Sequence, residues 1–99
     1  MPLIIRSPEA HEDMDAISDH IASHNVAAGH RWLDEIEKKL HLLASYPELG
    51  QSEPELGTGL RIFSLGNYAI IYRPVTDGIE VVRVIDARRD YVTLFRKGS

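Results

Sequence analysis

Two histidines on the first predicted helix have the spacing of metal ligands. His20 and His24 are four residues apart, which places both imidazoles on one helix face, one turn apart. Asp13 and Asp19 lie nearby in the sequence, but no motif supplies a third ligand. Two solvent-facing histidines on an acidic helix explain the pattern without a metal. The sequence therefore predicts no metal site.

Other site chemistries lack the residues that they need. The 99-residue chain contains no cysteine, which excludes disulfides, thiol catalysis and cysteine-ligated zinc. Gly57 and Gly59 precede a predicted strand and lack a following Lys-Ser/Thr, so they do not form a phosphate-binding loop. All five histidines lie at or before His41, which leaves the C-terminal half without a side chain that titrates near neutral pH. We therefore predict a protein that is not an enzyme and that uses no cofactor.

Charge is distributed unevenly along the chain. The formal net charge is −4, yet residues 1–56 carry −7 and residues 57–99 carry +3. Proteins that bind nucleic acid nonspecifically are usually basic overall, whereas an acidic chain repels a polyanion. The sequence therefore predicts a protein partner and no direct binding of nucleic acid. We expect four arginines of the basic half to form one patch: Arg61, Arg83, Arg88 and Arg89.

The N-terminal half is predicted to contain a short strand at residues 3–6 and then two helices. Ser7-Pro8-Glu9 is typical of a helix start, with serine as N-cap and proline at the first helical position. Asn25 is suited to cap a second helix, which ends at Tyr46-Pro47 because proline disfavours helix in the residue before it. Apolar residues recur in both helices with a period of about 3.6 residues. They are Ala10, Met14, Ile17 and Ile21, then Leu33, Ile36, Leu40 and Leu43.

After a predicted loop at residues 47–59, apolar residues recur at about every second position instead of every 3.6 residues. The predicted strands are 60–65, 68–75 and 79–87. Gly66-Asn67 and Asp77-Gly78 are hairpin turns, so that the strands form an antiparallel meander.

The predicted fold is α+β, a single domain over residues 1–99 with the order β-α-α-β-β-β. An N-terminal helical hairpin packs on one face of a mostly antiparallel sheet. Tyr91, Leu94 and Phe95 follow as a short C-terminal helical tail. No apolar run approaches the roughly 18 residues of a membrane helix, and the N-terminus has no signal-peptide pattern. We expect a cytoplasmic protein with no membrane association.

Several motifs, in order and at matching spacings, resemble the RelE/ParE toxin superfamily, and its ParE-type members most. They are Ala10, Asp13 and Ile17 on the first helix; Leu43 followed by Pro47-Glu48-Leu49-Gly50; Glu55-Leu56 with Gly59-Leu60-Arg61; Tyr68-Ala69-Ile70-Ile71-Tyr72-Arg73; and residues 77–85 (DGIEVVRVI) followed by Arg88-Arg89-Asp90. The resemblance covers almost the whole chain, and it carries the same order of elements.

This resemblance implies the toxin half of a type II toxin–antitoxin system of the kind that stabilises plasmids. ParE-type members inhibit DNA gyrase by binding it, and a cognate antitoxin neutralises them with a disordered C-terminal segment that folds on the toxin. We expect this non-enzymatic activity here, with the antitoxin and gyrase as partners. The target-binding candidates are Arg61, Arg83, Arg88, Arg89, Tyr91 and Phe95.

The resemblance leaves a second activity open, because RelE-type members cut mRNA on the ribosome. RNA cleavage needs a base, cations on the phosphate and an acid for the leaving oxygen. Glu55 is the candidate base, Arg61 and Arg83 the cations, and Tyr91 the acid. The alternative for the two arginines is structural: they hold a loop or the chain end through carboxylates such as Asp86 and Asp90. A third reading is a toxin fold that has lost toxicity and remains an antitoxin partner.

Overall fold

The computed structural model describes residues 2–89, which contain two helices and five strands. Their bounds are β1 Leu3–Arg6, α1 Pro8–His24, α2 Val26–Ser45, β2 Gln51–Ser52, β3 Arg61–Leu65, β4 Tyr68–Val75 and β5 Gly78–Asp86. This order confirms the predicted α+β class with an N-terminal helical hairpin. The predicted tail with Tyr91, Leu94 and Phe95 lies outside the described residues. No helix within residues 2–89 is long and apolar enough to cross a membrane.

The helix starts follow the capping signals in the sequence. Ser7 Oγ accepts a hydrogen bond from the Ala10 amide at 3.0 Å, and Asn25 Oδ1 accepts one from the Ala28 amide at 3.1 Å. Asn25 alone separates the two helices and adopts an extended conformation, which turns the chain back on itself. A side chain at Gly29 would place its Cβ 2.9 Å from the Cβ of Ala22, so glycine allows the close approach of α1 and α2.

The sheet is mixed, with the strand order β1-β5-β4-β3-β2. β1 runs parallel to β5, and the other pairs are antiparallel. The predicted loop at residues 47–59 contains one additional strand, because Gln51 and Ser52 pair with β3. Two residues are too few to show an alternating pattern, so the sequence carried no signal for β2. A bulge in β5 sets Val81 opposite Tyr72 and Arg83 opposite Ile71.

The main core lies between the helical hairpin and one face of the sheet. Met14, Ile36, Leu40 and Leu43 are buried there as predicted, and Ile17 packs against them. From the sheet, Phe63, Ile70 and Val84 face this core, whereas Ile62, Ile71 and Val82 lie with Leu56 and Leu60 in a second cluster.

The apolar stripe of α2 was misassigned at its N-terminal end. Leu33 is only half-buried, as is Ile21 on α1, whereas Trp32 packs against the core. Neighbouring apolar residues in one helical turn point in directions that a period alone does not separate. The stripe therefore runs through Trp32 rather than Leu33.

Candidate functional site

Asp13 in the middle of α1 binds two groups of β5. Its Oδ2 accepts hydrogen bonds from Arg83 Nε at 2.7 Å and from the Val84 amide at 3.0 Å, and its Oδ1 accepts one from Arg83 Nη2 at 3.0 Å. The Asp13 side chain is 17% exposed and the Arg83 side chain is 31% exposed. These hydrogen bonds raise the pKa of the Arg83 guanidinium above its usual value.

The N-terminus of α1 covers the outer edge of β5 at the point where the neighbouring strand β1 ends. β1 stops at Arg6, opposite Val81, and among residues 2–89 no strand lies beside this edge beyond Val81. Ser7 Oγ donates a hydrogen bond to the Val82 carbonyl at 2.7 Å, one step along the edge from Val81. Side chains of Ser7 and Asp13 thus satisfy backbone groups that a sixth strand would otherwise bind.

A cleft of about 410 Å³ opens between α1 and this end of β5. The helix contributes Asp13, Ala16, Ile17 and His20, and the sheet side contributes Tyr68, Arg83, Val84, Ile85, Asp86 and Arg89. The lining combines apolar side chains with charges of both signs, which suits a polypeptide segment better than a simple ion.

His20 at the rim of this cleft stacks edge-to-face with His24, with ring centroids 5.5 Å apart. Both histidines are exposed, and Nδ1 of His24 lies 3.2 Å from the carbonyl oxygen of His20. Within residues 2–89, no three acidic or histidine side chains are brought together as metal ligands.

Arg88 and Arg89 follow directly after β5, and both are exposed. Arg88 donates from Nε and Nη2 to the two carboxylate oxygens of Asp86, at 2.9 and 2.7 Å. The side-chain hydrogen bond from Arg88, aided by the Arg88 amide, lowers the pKa of Asp86 from 3.8 to about 2. Arg89 lines the cleft beside α1.

Arg61 has a different role, at the turn that follows α2. Its Nη1 donates to the carbonyl oxygens of Gly50 at 2.7 Å and Glu48 at 3.2 Å. The buried Tyr72 hydroxyl donates to the Pro47 carbonyl at 2.7 Å and accepts from the Gly50 amide at 2.8 Å. Burial raises the pKa of Tyr72, so its hydroxyl keeps the proton that it donates.

The single arginine patch predicted from the sequence is divided in the structure. Arg83 and Arg89 line the same cleft, and Arg88 lies next to Arg89. Arg61 belongs to β3, with β4 between it and β5, and its guanidinium is bound to loop carbonyls. All four arginines lie in the C-terminal half of the sequence, but the strand order separates Arg61 from the other three.

The alternative catalytic set is not assembled among the described residues. Glu55 is exposed in the loop before β3, Arg61 binds carbonyl oxygens, and Arg83 binds Asp13. Tyr91 and Phe95 lie outside the described residues. The structural alternative assigned carboxylates to both arginines. The structure gives a carboxylate to Arg83, whereas Arg61 holds a loop through carbonyl oxygens. The carboxylate is Asp13, 70 positions away, and not Asp86, because contacts across a sheet edge do not follow sequence proximity. Asp90 lies outside the described residues.

Comparison with known proteins gives one consistent relationship. The family model for the ParE toxin of the type II toxin–antitoxin system parDE matches residues 4–91. Toxin ParE3 of Caulobacter vibrioides is 29% identical over 89 residues, which are 89% of this chain and 89% of the relative. A chain of the chromosomal ParDE toxin–antitoxin system from P. aeruginosa shares the fold with a TM-score of 0.72 at 20% identity, over 87% of this chain and 96% of that chain.

Proposed function

Because the chain belongs to the ParE toxin family of type II toxin–antitoxin systems, we propose that it inhibits DNA gyrase by binding it and that a cognate antitoxin neutralises it. The match of the family model over residues 4–91 carries this proposal. The inhibition is a binding event and not a catalysed reaction, and it takes place in the cytoplasm, where gyrase acts on DNA.

The hydrogen bonds already made by Arg61 and Arg83, the two cations of the ribonuclease alternative, support binding over catalysis. A phosphate-binding arginine must offer its donors to the substrate. Arg83 gives two donors to Asp13 and Arg61 gives its Nη1 to two carbonyls, so an RNA phosphate has to displace acceptors that the fold supplies. In addition, no histidine follows His41 to serve as a general acid or base near neutral pH.

Arg88 and Arg89 are the proposed contacts with gyrase in the described part of the chain. Both are exposed, and the Arg88 side chain is 64% exposed despite its pair with Asp86. An exposed ion pair adds little to stability, so Arg88 can exchange Asp86 for a carboxylate of the target. Arginine is enriched among the residues that dominate binding energy at protein interfaces. Tyr91 and Phe95 remain candidates from the sequence for the same contact.

We place the antitoxin segment in the cleft between α1 and β5. Ile17, Tyr68 and Ile85 give this cleft an apolar surface that an amphipathic or extended segment can cover. Arg89 lines the same cleft, and Arg88 is its neighbour in the chain. A segment bound there therefore covers the proposed gyrase contact, which explains neutralisation by direct masking.

Expression of the chain alone and with its antitoxin, followed by a supercoiling assay with purified gyrase, tests the proposal. We expect filamentous growth with DNA-damage signalling, inhibition of supercoiling in the assay, and reversal of both by the antitoxin. Rapid translation arrest with cut mRNA would instead establish the ribonuclease activity. Normal growth combined with tight antitoxin binding would establish a non-toxic partner.

A further inference from the structure

A second groove shares one wall residue, Tyr68, with the cleft that we assign to the antitoxin. The groove has a volume of about 540 Å³ and runs between α2 and the turn that joins β3 to β4. Apolar side chains line it, namely those of Ile21, Ala28, Trp32 and Leu65. We call it the Trp32 groove. The cleft and the Trp32 groove therefore adjoin at the side chain of Tyr68.

Trp32 carries a buried polar atom that has no hydrogen-bond partner among residues 2–89. This atom is the indole nitrogen Nε1, which solvent does not reach. An indole N–H is a donor only, so it can be satisfied only by an acceptor from elsewhere. Native structures pair the great majority of buried polar groups, and a buried donor without an acceptor costs free energy. The unpaired N–H therefore points to an acceptor that the described part of the chain does not supply.

The side chain of Tyr68 packs against this indole at the boundary between the cleft and the Trp32 groove. The two rings meet edge-to-face, with centroids 5.5 Å apart. Tyr68 is half-buried, so its ring can turn aside when a partner arrives. A segment that continues from the cleft into the Trp32 groove crosses Tyr68 and thus passes the place where Trp32 needs an acceptor.

Charge at the rim of the Trp32 groove is balanced. Arg31 and Lys38 lie there with Asp34 and Glu35, and all four residues are exposed. Lys38 pairs with Glu35 at 3.6 Å, and the other residues that line the groove are uncharged. A nucleic acid binds through an excess of positive charge, which this rim does not provide. Recognition here therefore depends on apolar contact and on one acceptor.

A polypeptide segment offers both features. Its backbone carries a carbonyl acceptor at every residue, and its side chains can cover apolar surface. Because the Trp32 groove continues the cleft across Tyr68, the segment that fills the cleft is the one that reaches the groove without a second binding event.

We propose that the antitoxin segment continues from the cleft over Tyr68 into the Trp32 groove, where one of its carbonyl oxygens accepts the Trp32 Nε1 hydrogen. This rests on the proposed function, which assigns the cleft to the antitoxin. In the cleft the segment masks the arginines that follow β5. In the Trp32 groove it gains affinity from apolar contact and from a donor that the free toxin leaves unpaired.

The indole resonance of Trp32 reports on this hydrogen bond. Trp32 is the only tryptophan of the chain, so the 15N-labelled toxin gives a single indole N–H signal. The probe is the full-length antitoxin that neutralises the toxin in the growth assay. We expect the signal to move downfield and its exchange with water to slow in the saturated complex. An unmoved signal there overturns the inference. A signal that moves with the concentration of the toxin alone assigns the groove to a second copy and overturns it too.

Replacement of the indole nitrogen by sulfur removes the donor and keeps the shape of the side chain. Benzothienylalanine supplied in place of tryptophan changes position 32 alone, because the chain has no other tryptophan. Since Nε1 has no partner in the free toxin, we expect thermal unfolding and inhibition of gyrase to remain unchanged. Antitoxin affinity falls by roughly two- to tenfold, the range of one hydrogen bond. Lower stability with unchanged affinity would show that the N–H serves the fold, with the Tyr68 ring as its acceptor.

Two neighbouring alanines in the first turn of α2 give a matched pair of steric variants. Ala28→Gln places a longer side chain in the Trp32 groove, whereas Ala27→Gln places the same side chain at an exposed position outside its lining. We expect Ala28→Gln to weaken antitoxin binding by about fivefold or more through steric conflict, and Ala27→Gln to leave it unchanged. Both variants inhibit gyrase and unfold as the wild type does.

The outcomes separate this inference from the proposed function. If the sulfur analogue and Ala28→Gln both bind the antitoxin as tightly as the wild type, the segment does not enter the Trp32 groove, while the proposed function stands. Loss of gyrase inhibition in Ala28→Gln with unchanged antitoxin affinity assigns the groove to the target and overturns the inference. A wild-type toxin that no antitoxin neutralises removes the inference together with the proposed neutralisation.

Discussion

Asp13 and Arg83 lie 70 positions apart in the chain and form a bidentate ion pair, with oxygen–nitrogen distances of 2.7 and 3.0 Å. The same carboxylate accepts the Val84 amide, so one side chain of α1 binds both a cation and the backbone of β5. The pair closes the strand edge at the wall of the cleft that we assign to the antitoxin. Asp13 therefore orients the helix wall of this cleft relative to its sheet wall.

Replacement of Asp13 by Asn tests this role. The neutral amide retains the size of the side chain but loses the charge-assisted bonds to Arg83, and a group left unsatisfied in a partly buried site costs about 1–3 kcal/mol. We expect urea titration to show a lower free energy of unfolding by roughly that amount. Asp15→Asn on an exposed position of the same helix is the control and changes stability by less than about 0.5 kcal/mol. Equal stability of the two variants would show that the ion pair does not hold α1 on β5.

Removal of the Tyr72 hydroxyl tests the support of the turn at residues 47–50, which follows α2. Tyr72→Phe keeps the buried ring but leaves the Gly50 amide and the Pro47 carbonyl without this partner. We expect a loss of about 1–3 kcal/mol in the free energy of unfolding, together with faster hydrogen exchange of the Gly50 amide in NMR spectra. Tyr68→Phe, at the other end of β4, controls for loss of a tyrosine hydroxyl. Unchanged exchange at Gly50 in the Tyr72 variant would contradict the proposed support.

A comparison of two leucines on α2 tests the corrected apolar stripe. Leu40 is fully buried, whereas Leu33 is half-buried. Truncation of a fully buried leucine to alanine costs roughly 2–5 kcal/mol, because it removes apolar contacts and leaves a cavity. We expect Leu40→Ala to show this loss in denaturant titration and Leu33→Ala to show clearly less. Equal losses at both positions would restore the stripe that periodicity alone predicts.

The fold was largely predictable because its signals are local. Ser7, Asn25 and the period of the apolar residues determine where the helices begin and which face they bury, and each signal spans a few residues. The turns Gly66-Asn67 and Asp77-Gly78 likewise fixed the meander. The motif order also led to the family that the family model confirms.

The candidate site was less predictable because its contacts join distant segments. Nothing near Arg83 in the sequence indicates Asp13 as its partner, and nothing near Arg61 indicates that it binds carbonyls after α2. The turn after α2 is bound by the Tyr72 hydroxyl, but the sequence presents Tyr72 only as an apolar strand residue. The strand order determines which arginines lie close together, and the positions of basic residues in the sequence do not reveal that order.

The Asp86–Arg88 pair predicts a change in acid titration. The pKa of Asp86 in the folded protein is about 2, below the usual 3.8, because Arg88 stabilises the carboxylate. The folded pKa is the lower one, so the pair contributes stability above the unfolded pKa and loses it as pH falls from about 4 to about 2. We expect Arg88→Ala to raise the Asp86 pKa towards 3.8 when the carboxyl carbon is followed by NMR. Arg89→Ala is the control, since its guanidinium lies beyond hydrogen-bonding contact with Asp86 and acts on it only through its charge.

A pair of variants separates inhibition by binding from ribonuclease activity. Arg88→Glu combined with Arg89→Glu reverses the charge of the proposed gyrase contact, and both positions are exposed, so the fold is retained. We expect this double variant to lose toxicity in a growth assay while its circular dichroism and its unfolding curve remain close to those of the wild type.

Tyr91→Phe is the counterpart, because it removes only the phenolic hydroxyl that the ribonuclease alternative uses as its acid. Loss of a general acid typically lowers a rate by about 10²–10⁴, which would rescue growth if the toxin acted by cutting RNA. On the binding mechanism the ring remains for contact with the target, so we expect this variant to stay toxic and to bind the antitoxin as before. Rescue of growth by Tyr91→Phe as complete as that of the charge reversal, with mRNA cut on ribosomes by the purified wild-type protein, would replace inhibition of gyrase by the ribonuclease activity.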